Sequence, residues 1–470
     1  MRRLGSSVLP VLVLLLLVSG PVNAQGLFEQ ASSSGPADGS NATTAPAPLT
    51  FEWNGYVRGG VFVGKTPDLD KGEVKNGFGE MALSVRVRKG EWGDAFGEFR
   101  LWHGSDMGTM ETRINLREAY VNAYLGPLDL RIGHQVIVWG RADGINPTNN
   151  LTPVDMRTRS ANEDDKRLGN LAVRVSAFFQ PIRLEAIWVP LYAPSYLPDI
   201  QFAEVLAFAN PDNPSNDVLK GTLAGRISLE ASAVDGSISY LYGYAPLPGV
   251  TFKELTLDGA TPTISVAFKP YRQHVVGLDF STTISDWFGL RGEVAYKHPD
   301  EDGDPDYEPL PEFHYVLGVD KEIGSFMGVV QYIGRYTMDW TKLPNHGIDL
   351  TAGAPDIAEM DKIEGGMMAV VQSQLSEKNR MVRGQLNQWT HMLMTRLAWS
   401  VLYETLDLEV MGMYDFMTQE WFARASAGYD LTDALTIIAG GEVWGGPEGT
   451  MFGTIDELMS AGFLELKASF

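Results

Sequence analysis

The end of the chain alternates apolar and polar side chains up to a terminal phenylalanine, and this feature restricts the fold most. Residues 461–470 read A-G-F-L-E-L-K-A-S-F, which places Leu464, Leu466 and Phe470 on one face and Glu465 and Lys467 on the other. A repeat of two residues is that of a β-strand. Such a strand either has lipid on one side and a polar interior on the other, as in a transmembrane β-barrel, or forms the half-buried edge of a soluble sheet.

The carboxy terminus also carries a resemblance. Phe470, preceded by apolar residues such as Leu466 at alternate positions, resembles the signal by which bacterial outer-membrane proteins are recognised for assembly. The resemblance implies that Phe470 and Leu466 form an assembly signal and that the barrel assembly machinery is a partner.

The amino terminus predicts export. Arg2 and Arg3 precede an apolar run over residues 8–18, and compact residues follow up to Ala24. This arrangement predicts a secretory signal peptide over residues 1–24, cleaved near Ala24. The apolar run is shorter than the roughly 20 residues that a membrane-spanning helix needs.

Composition excludes several classes of protein. The formal net charge of -22 disfavours nucleic acid as a partner. With no cysteine, an exported chain can be neither a disulfide scaffold nor the carrier of a thiolate metal site or thiol nucleophile. Fifty glycines and 10% aromatic residues favour many strands and turns over a helical domain.

The connections between strand-like segments alternate in length. Residues 25–50, rich in Ser, Ala, Gly, Pro and Thr, predict a disordered periplasmic leader before a barrel over 51–470. Short turns are expected near 89–93, 126–127, 180–181, 234–237, 285–288, 321–325, 404–407 and 431–434. Longer loops are expected at 65–77, 104–111, 141–168, 190–217, 245–271, 298–311, 338–385, 416–419 and 445–457.

This pattern predicts an all-β fold, a transmembrane antiparallel β-barrel of about 18 strands with short periplasmic turns and long extracellular loops. We allow an error of about two strands. The ambiguous segment is 251–269, where residues 263–268 form either another membrane strand or an extension above the membrane.

A motif lies where one strand runs into the longest of the early loops. Arg131, Gly133, Gln135, Trp139 and Gly140 match R-x-G-x-Q-x-x-x-W-G, and Asn146, Pro147 and Pro153 follow it. Residues 116–198 thereby resemble an uncharacterised proteobacterial outer-membrane family, a domain of unknown function. The resemblance implies an outer-membrane barrel that partners an inner-membrane exporter of lipid-like or hydrophobic molecules, and it supplies no catalytic residue.

The residues of the motif themselves indicate structural roles. Gly133 would let a bulky neighbour lie across the strand, and Trp139 suits the membrane boundary, where its ring is apolar and its N–H is wet. Simple alternation directs His134 toward lipid. Either a bulge or a position near the headgroups would accommodate it.

Charged side chains recur on the non-lipid faces of the strands. They either line a water-filled channel or pair across the wall. The candidate pore-lining residues are Arg86, Arg88, Glu98, Arg100, Arg131, Gln135, Arg174, Glu185, Arg226, Glu230, Arg291, Glu293, Glu409, Arg424 and Glu442.

The longest loop, 338–385, contains an amphipathic helical pattern. Ile357, Met360, Ile363 and Met367 recur at helical spacing on one face. This face predicts a helix that either enters the lumen as a constriction or packs on neighbouring loops.

The remaining polar clusters carry little chemistry. Asp300, Asp302 and Asp304 form weak candidates for calcium, but their spacing departs from the twelve-residue calcium loop. A solvated acidic loop, cross-linked to lipopolysaccharide by divalent ions, explains them better. No histidine lies in a G-x-S-x-G or H-E-x-x-H motif, so we expect no enzyme and no cofactor.

Three functions fit these observations. The leading one is an outer-membrane channel for small hydrophilic or amphiphilic solutes, because eighteen strands enclose more space than their side chains fill. The alternatives are an export partner of an inner-membrane transporter and a non-conducting surface or assembly barrel. A barrel-embedded hydrolase is disfavoured.

Overall fold

The computed structural model describes residues 48–66, 69–198, 206–258, 261–285, 287–300, 307–344 and 366–470. The predicted signal peptide and most of the predicted leader lie outside the described residues. The first strand begins at Leu49, slightly before the predicted start at residue 51.

The described residues form strands, two α-helices and two 3-10 helices. The strands are β1 (Leu49–Thr66), β2 (Leu69–Lys89), β3 (Gly93–Asp106), β4 (Thr109–Leu125), β5 (Leu128–Gln135), β6 (Asn170–Phe179), β7 (Ile182–Val189), β8 (Leu206–Phe208), β9 (Thr222–Glu230), β10 (Val234–Tyr244), β11 (Gly249–Asp258), β12 (Thr261–Lys269), β13 (Arg272–Ile284), β14 (Phe288–Pro299), β15 (Glu312–Ile323), β16 (Phe326–Thr337), β17 (Trp389–Val401), β18 (Leu406–Asp415), β19 (Trp421–Thr432), β20 (Leu435–Gly445) and β21 (Ala461–Ser469). The helices are α1 (Gly366–Arg383) and α2 (Met451–Met459), with 3-10 turns at Glu163–Lys166 and Val218–Lys220. Neither α-helix has the length and apolar character needed to cross a membrane.

Eighteen of the described strands form one antiparallel sheet that closes on itself, as predicted. Closure joins the first strand to the last, from Tyr56 opposite Ser469 to Val63 opposite Gly462. The backbone of Phe470 completes the seam, because its N–H and C=O each bond to Gly55 at 2.9 Å. A closed sheet leaves no row of unpaired backbone groups at an edge.

The two faces of the wall differ as the period of two predicts. Leu464 and Leu466 are 46% and 47% exposed on the outer face, whereas Glu465 between them is 2% exposed on the inner face. The outer face is therefore apolar and the inner face carries the charges, which is the arrangement of a barrel that spans lipid.

Short turns lie at one end of the barrel and longer connections at the other, and we call these the turn side and the loop side. Most of the described residues in two predicted loops, 65–77 and 104–111, are instead paired strand, because the β1–β2 and β3–β4 ladders continue into them. One predicted turn, 234–237, lies inside β10, and the chain turns at 231–233.

The ambiguous segment 251–269 lies outside the barrel wall. Its strands β11 and β12 pair with each other and with β8 in a separate three-stranded sheet. Val250, Ile264 and Val266 of this hairpin pack in one core with Val370, Val371 and Leu375 of α1 and with Ile455 and Met459 of α2. The loop side therefore carries its own small hydrophobic core.

Candidate functional site in the barrel lumen

The connection between β5 and β6, residues 136–169, contacts opposite walls of the barrel, and we call it the lumen loop. It begins after Gln135, where pairing of β5 with its neighbours ends. Trp139 Nε1 donates to Glu185 Oε1 of β7 at 2.7 Å, and the side chain is only 3% exposed. Ile137 and Leu151 pack beside it against Ile187 of the wall.

The first half of the lumen loop contacts the wall strands β13 and β14. Arg141 Nε donates to Asp279 Oδ1 at 2.8 Å, and Asp143 pairs with Arg291 at 3.0 Å. Glu293 accepts hydrogen bonds from the backbone N–H groups of Arg141 and Ala142 and from the Thr148 hydroxyl. These bonds hold the first half of the lumen loop to one side of the lumen.

The second half of the loop is held to β1, β3 and β4 through Asp165. Its carboxylate accepts from Arg58 and Arg100 at 2.7 Å each, from Arg117 at 3.3 Å and from the Ser160 hydroxyl at 2.6 Å. Burial opposes ionisation of Asp165, but the guanidinium groups of Arg58 and Arg100 outweigh it and hold the pKa of this carboxyl well below its usual range.

The same half of the loop also reaches β19, β20 and β21. Arg159 pairs with Glu442 at 2.8 Å and donates to the Met459 carbonyl at the end of α2 at 2.8 Å. The Ala161 N–H donates to Glu465 at 2.7 Å. The lumen loop therefore crosses the barrel interior from wall to wall.

The lumen loop separates two spaces. On the turn side lies a cavity of about 650 Å³ bounded by β1, β2, β3, β18, β19, β20 and β21. On the loop side lies a smaller cavity of about 90 Å³ near Trp102 and Arg113. Arg58, Arg100 and Asp165 line both cavities, so their ion pairs form the boundary between them.

The predicted pore-lining residues occupy three kinds of position. Those that contact the lumen loop are Arg100, Glu185, Arg291, Glu293, Arg424 and Glu442, and Arg226 shares Asp279 with the loop. Those that pair within the wall are Arg86 with Asp94, Glu98 with Arg100, Arg131 with Asn122, Arg174 with Glu185, and Glu409 with Arg396. Arg88 and Glu230 are exposed at the turn-side ends of their strands, and Gln135 donates to the Ala172 carbonyl at 3.0 Å.

Three residues of the R-x-G-x-Q-x-x-x-W-G motif, Gly133, Trp139 and Gly140, lie in close contact with neighbouring parts of the chain. A Cβ on Gly133 would meet the Ala119 carbonyl oxygen and Tyr120 Cα of the neighbouring strand, and Gly140, with φ +98°, would meet Asn146. The expectation that Trp139 lies at the membrane boundary is wrong. The wall strand ends at Gln135, so the chain has turned into the lumen, where a buried indole N–H needs the acceptor that Glu185 supplies.

His134 lies next to the loop-side end of β5, paired with Ala119 and Leu171. Both ladders run through His134 without a register shift, so no bulge lies at this residue, and a position near the headgroups stays a prediction. Leu466 is on the outer face of the seam, and the exposed ring of Phe470 lies against Gly55 at the turn-side end, where it borders the larger cavity.

The predicted constriction residues fall in a part of loop 338–385 that the structure describes only partly. Ile357, Met360 and Ile363, and the side chain of Met367, lie outside the described residues. Within the described part of that loop, α1 packs on β11, β12 and α2 through its buried apolar face. Among the acidic candidates, Asp300 accepts from the Tyr242 hydroxyl at 2.6 Å, and Asp302 and Asp304 lie outside the described residues.

Sequence reasoning missed the residues that dock the lumen loop. Arg58 and Glu80 follow the period of two on the inner faces of β1 and β2, so the alternation could have identified them. Arg159 and Asp165 lie in an irregular polar loop. A polar loop of this kind has the same residue composition whether it lies in solvent or inside the barrel, so the sequence did not single out these two residues.

Comparisons with known proteins agree with this architecture. A sequence profile of the family described as "Protein of unknown function (DUF1302)" matches residues 71–305. Comparison with curated proteins finds no match.

Several solved structures have a similar fold. OccAB3 of Acinetobacter baumannii has a TM-score of 0.52 at 10% identity, covering 89% of this chain and 99% of that chain. A BenF-like porin of Pseudomonas fluorescens Pf-5 has a TM-score of 0.52 at 11% identity, covering 89% and 98%. OpdK of Pseudomonas aeruginosa, solved with vanillate, has a TM-score of 0.51 at 11% identity, covering 89% and 98%. At such identities the similarity concerns the fold.

Proposed function

The chain belongs to the family described as Protein of unknown function (DUF1302), and on that premise we propose that it forms an outer-membrane channel for small hydrophilic or amphiphilic solutes. The observation that carries the proposal is a closed eighteen-strand sheet with an apolar outer face, a charged inner face and a cavity of about 650 Å³ inside. Barrels of 16 to 18 strands are wide enough to leave an aqueous passage. Solved barrels of similar fold include a BenF-like porin.

Orientation follows from the connections. In barrels of the outer membrane the short turns face the periplasm and the long connections face outward. The cavity of about 650 Å³ would then open toward the periplasm, and the small sheet with α1 and α2 would lie on the cell surface.

We assign the narrowest part of the passage to the lumen loop rather than to residues 338–385. The loop bonds to walls on opposite sides, and Arg58, Arg100 and Asp165 border the spaces on both sides of it. A solute crossing the barrel must pass beside these ion pairs or move the loop.

The charges at this boundary are largely balanced. The three cations Arg58, Arg100 and Arg117 face four carboxylates at distances of 2.7 to 4.0 Å, namely Asp165, Glu80, Glu98 and Glu465. Because opposite charges at these distances cancel much of each other's field, the passage should select solutes by size more than by charge.

Planar-bilayer recording of the refolded full-length chain tests the proposal. We expect discrete conductance steps, and we expect the Asp165→Asn variant to give larger or noisier steps. The matched control is Lys253→Gln, which breaks a partly exposed ion pair with Asp212 far from the lumen and should leave conductance unchanged. A folded, inserted protein that never conducts would overturn the channel and favour a non-conducting surface barrel.

Other partners expected from the sequence remain predictions. They are outer-membrane lipids and lipopolysaccharide, the barrel assembly machinery, and an inner-membrane exporter. If the exporter partnership holds, this barrel would release a hydrophobic or lipid-like molecule, and purified protein would show little conductance to salt.

A further inference from the structure

Histidines cluster near the loop-side end of the outer wall. His274 is near the start of β13 and His298 near the end of β14, and the two residues are directly opposite each other in the ladder. His274 shares its face with Val276 and Leu278, which are exposed, while Gln273 and Val275 on the opposite face are buried. These imidazoles therefore belong to the surface that meets the membrane, not to the lumen.

Aromatic rings hold the first of these histidines in place. The His274 ring stacks on Tyr242 with centroids 4.4 Å apart and planes 20° apart. The Tyr240 hydroxyl, on a side chain that is 48% exposed, lies 2.8 Å from His274 Nδ1. When that hydroxyl donates to Nδ1, the proton of the neutral imidazole is on Nε2, where it can donate to an external acceptor.

A permanent cation completes the group. The Arg272 guanidinium lies 4.3 Å from the centroid of the Tyr242 ring and 5.5 Å from that of Tyr244. Within the described part of the chain no carboxylate lies within 4.0 Å of it, and its Nε has no hydrogen-bond partner there. One carboxylate contacts the group, since Asp300 accepts a hydrogen bond from the Tyr242 hydroxyl at 2.6 Å.

We propose that Tyr240, Tyr242, Arg272, His274 and His298, the outer basic patch, bind the phosphate group of a lipid in the loop-side leaflet. A guanidinium and imidazole N–H groups are strong donors to phosphate oxygens, and tyrosine rings suit the boundary between acyl chains and headgroups. His298 Nδ1 donates to the Pro299 carbonyl at 2.6 Å, so its Nε2 donates to a phosphate oxygen only when the imidazole is protonated, whereas His274 donates from Nε2 in its neutral form.

A lipid is the occupant that fits because the patch continues into the apolar wall. Val276 and Leu278 follow His274 on the same face, and Ile238 precedes Tyr240. A molecule that carries both a phosphate and acyl chains would contact the donors and this apolar surface together. Free phosphate would contact the donors alone.

A second group on the same wall offers a matched control. Tyr332 OH lies 2.6 Å from His391 Nδ1, and the Trp389 ring lies 5.8 Å from the imidazole. No lysine or arginine is found over these rings among the described residues. His391→Gln therefore removes a histidine of the same kind without altering the outer basic patch.

The inference rests on the membrane insertion that the proposed function requires, but not on conduction. The test uses the folded full-length chain in detergent and native mass spectrometry with lipid A, with lipid A stripped of its phosphates, and with inorganic phosphate alone. We expect lipid A to be retained by the parent and by His391→Gln, and to be retained about tenfold less by the combined Arg272→Gln, His274→Gln, His298→Gln variant. A mobility shift between unheated and boiled samples checks folding, and Arg272→Gln alone replaces the combined variant if that variant misfolds.

Several results would overturn the inference. Equal retention of lipid A by the combined variant would mean that the patch contributes nothing. Equal retention of the dephosphorylated lipid would mean that acyl chains alone bind, and displacement by inorganic phosphate would identify a free anion as the ligand. Failure of lipid binding in a protein that conducts would remove this inference and leave the channel intact.

Discussion

The docking of the lumen loop through Asp165 leads to a quantitative prediction. The Asp165 side chain is 6% exposed and accepts hydrogen bonds from Arg58, Arg100 and Arg117. Replacing it with asparagine leaves these guanidinium groups facing one another without their shared anion. Removing one partner of a buried ion pair costs about 3–5 kcal/mol.

That cost should fall on the loop and not on the barrel. The eighteen-strand ladder does not depend on Asp165, and the loop keeps the Arg159–Glu442 pair and the Trp139–Glu185 bond. A loss of about 3 kcal/mol would change the ratio of docked to undocked loop by roughly a hundredfold. The barrel should therefore remain folded while the passage opens more often.

The absence of cysteine makes a direct assay available. Ser426 lines the cavity on the turn side of the loop, so Ser426→Cys creates the single thiol of the chain. A charged thiol reagent added from the loop side must pass the lumen loop to react. We expect labelling to be at least about tenfold faster in the Asp165→Asn background, and unchanged with Lys253→Gln.

The outcome that contradicts this reasoning is specific. If Asp165→Asn folds, as judged by its mobility before and after boiling, and neither labelling nor conductance changes, then Asp165 does not hold the loop closed. Fast labelling in the parent would instead mean that the docked loop leaves the passage open.

Three further predictions follow from the same contacts. The pKa of Asp165 is lowered in the folded chain, so its contribution to docking should be complete above the ordinary aspartate pKa of about 3.9 and be lost as the pH falls through the lowered value. Conductance should therefore be constant from neutral pH to about 5 and rise only in stronger acid. A rise in conductance near neutral pH would contradict this reasoning. Leu375→Ala should lower the stability of the core shared by α1, α2 and the β11–β12 hairpin by about 2–5 kcal/mol, so protease should cut the loop side faster while conductance stays near that of the parent. A clear rise in conductance would place this loop in the passage. Phe470→Ser should lower the amount of assembled protein but not the conductance of each channel, since the side chain lies at the turn-side end of the seam, away from the lumen loop, and the backbone of residue 470 can still pair with Gly55. Normal assembly, compared with the matched Ser469→Ala, would exclude Phe470 as the recognition signal.

The strand number and the closed sheet could be derived from the sequence because they depend on local rules. Successive side chains of a strand point to opposite faces, so Leu464 and Glu465 are distinguished by position alone. In lipid every backbone N–H and C=O must be paired within the protein, and a sheet satisfies this only by closing. The lengths of the connections then order the strands. The segment 251–269 was left ambiguous because a short apolar run looks the same in a barrel wall and in a small separate sheet.

The interior was decided by the tertiary structure. Alternation shows that Arg100, Arg424 and Glu442 face inward, but it does not show what they meet there. Their partners Asp165, Glu163 and Arg159 are remote in sequence and are brought close only when the barrel closes and the lumen loop enters it.

Trp139 illustrates the same limit at one residue. An indole with an apolar ring and a polar N–H suits a membrane boundary and a buried hydrogen bond equally well. The end of β5 at Gln135, which turns the following residues toward Glu185, decides between the two positions. The hydrogen-bond partners of a loop depend on which enclosed space is available to it, and that space exists only after distant strands have paired.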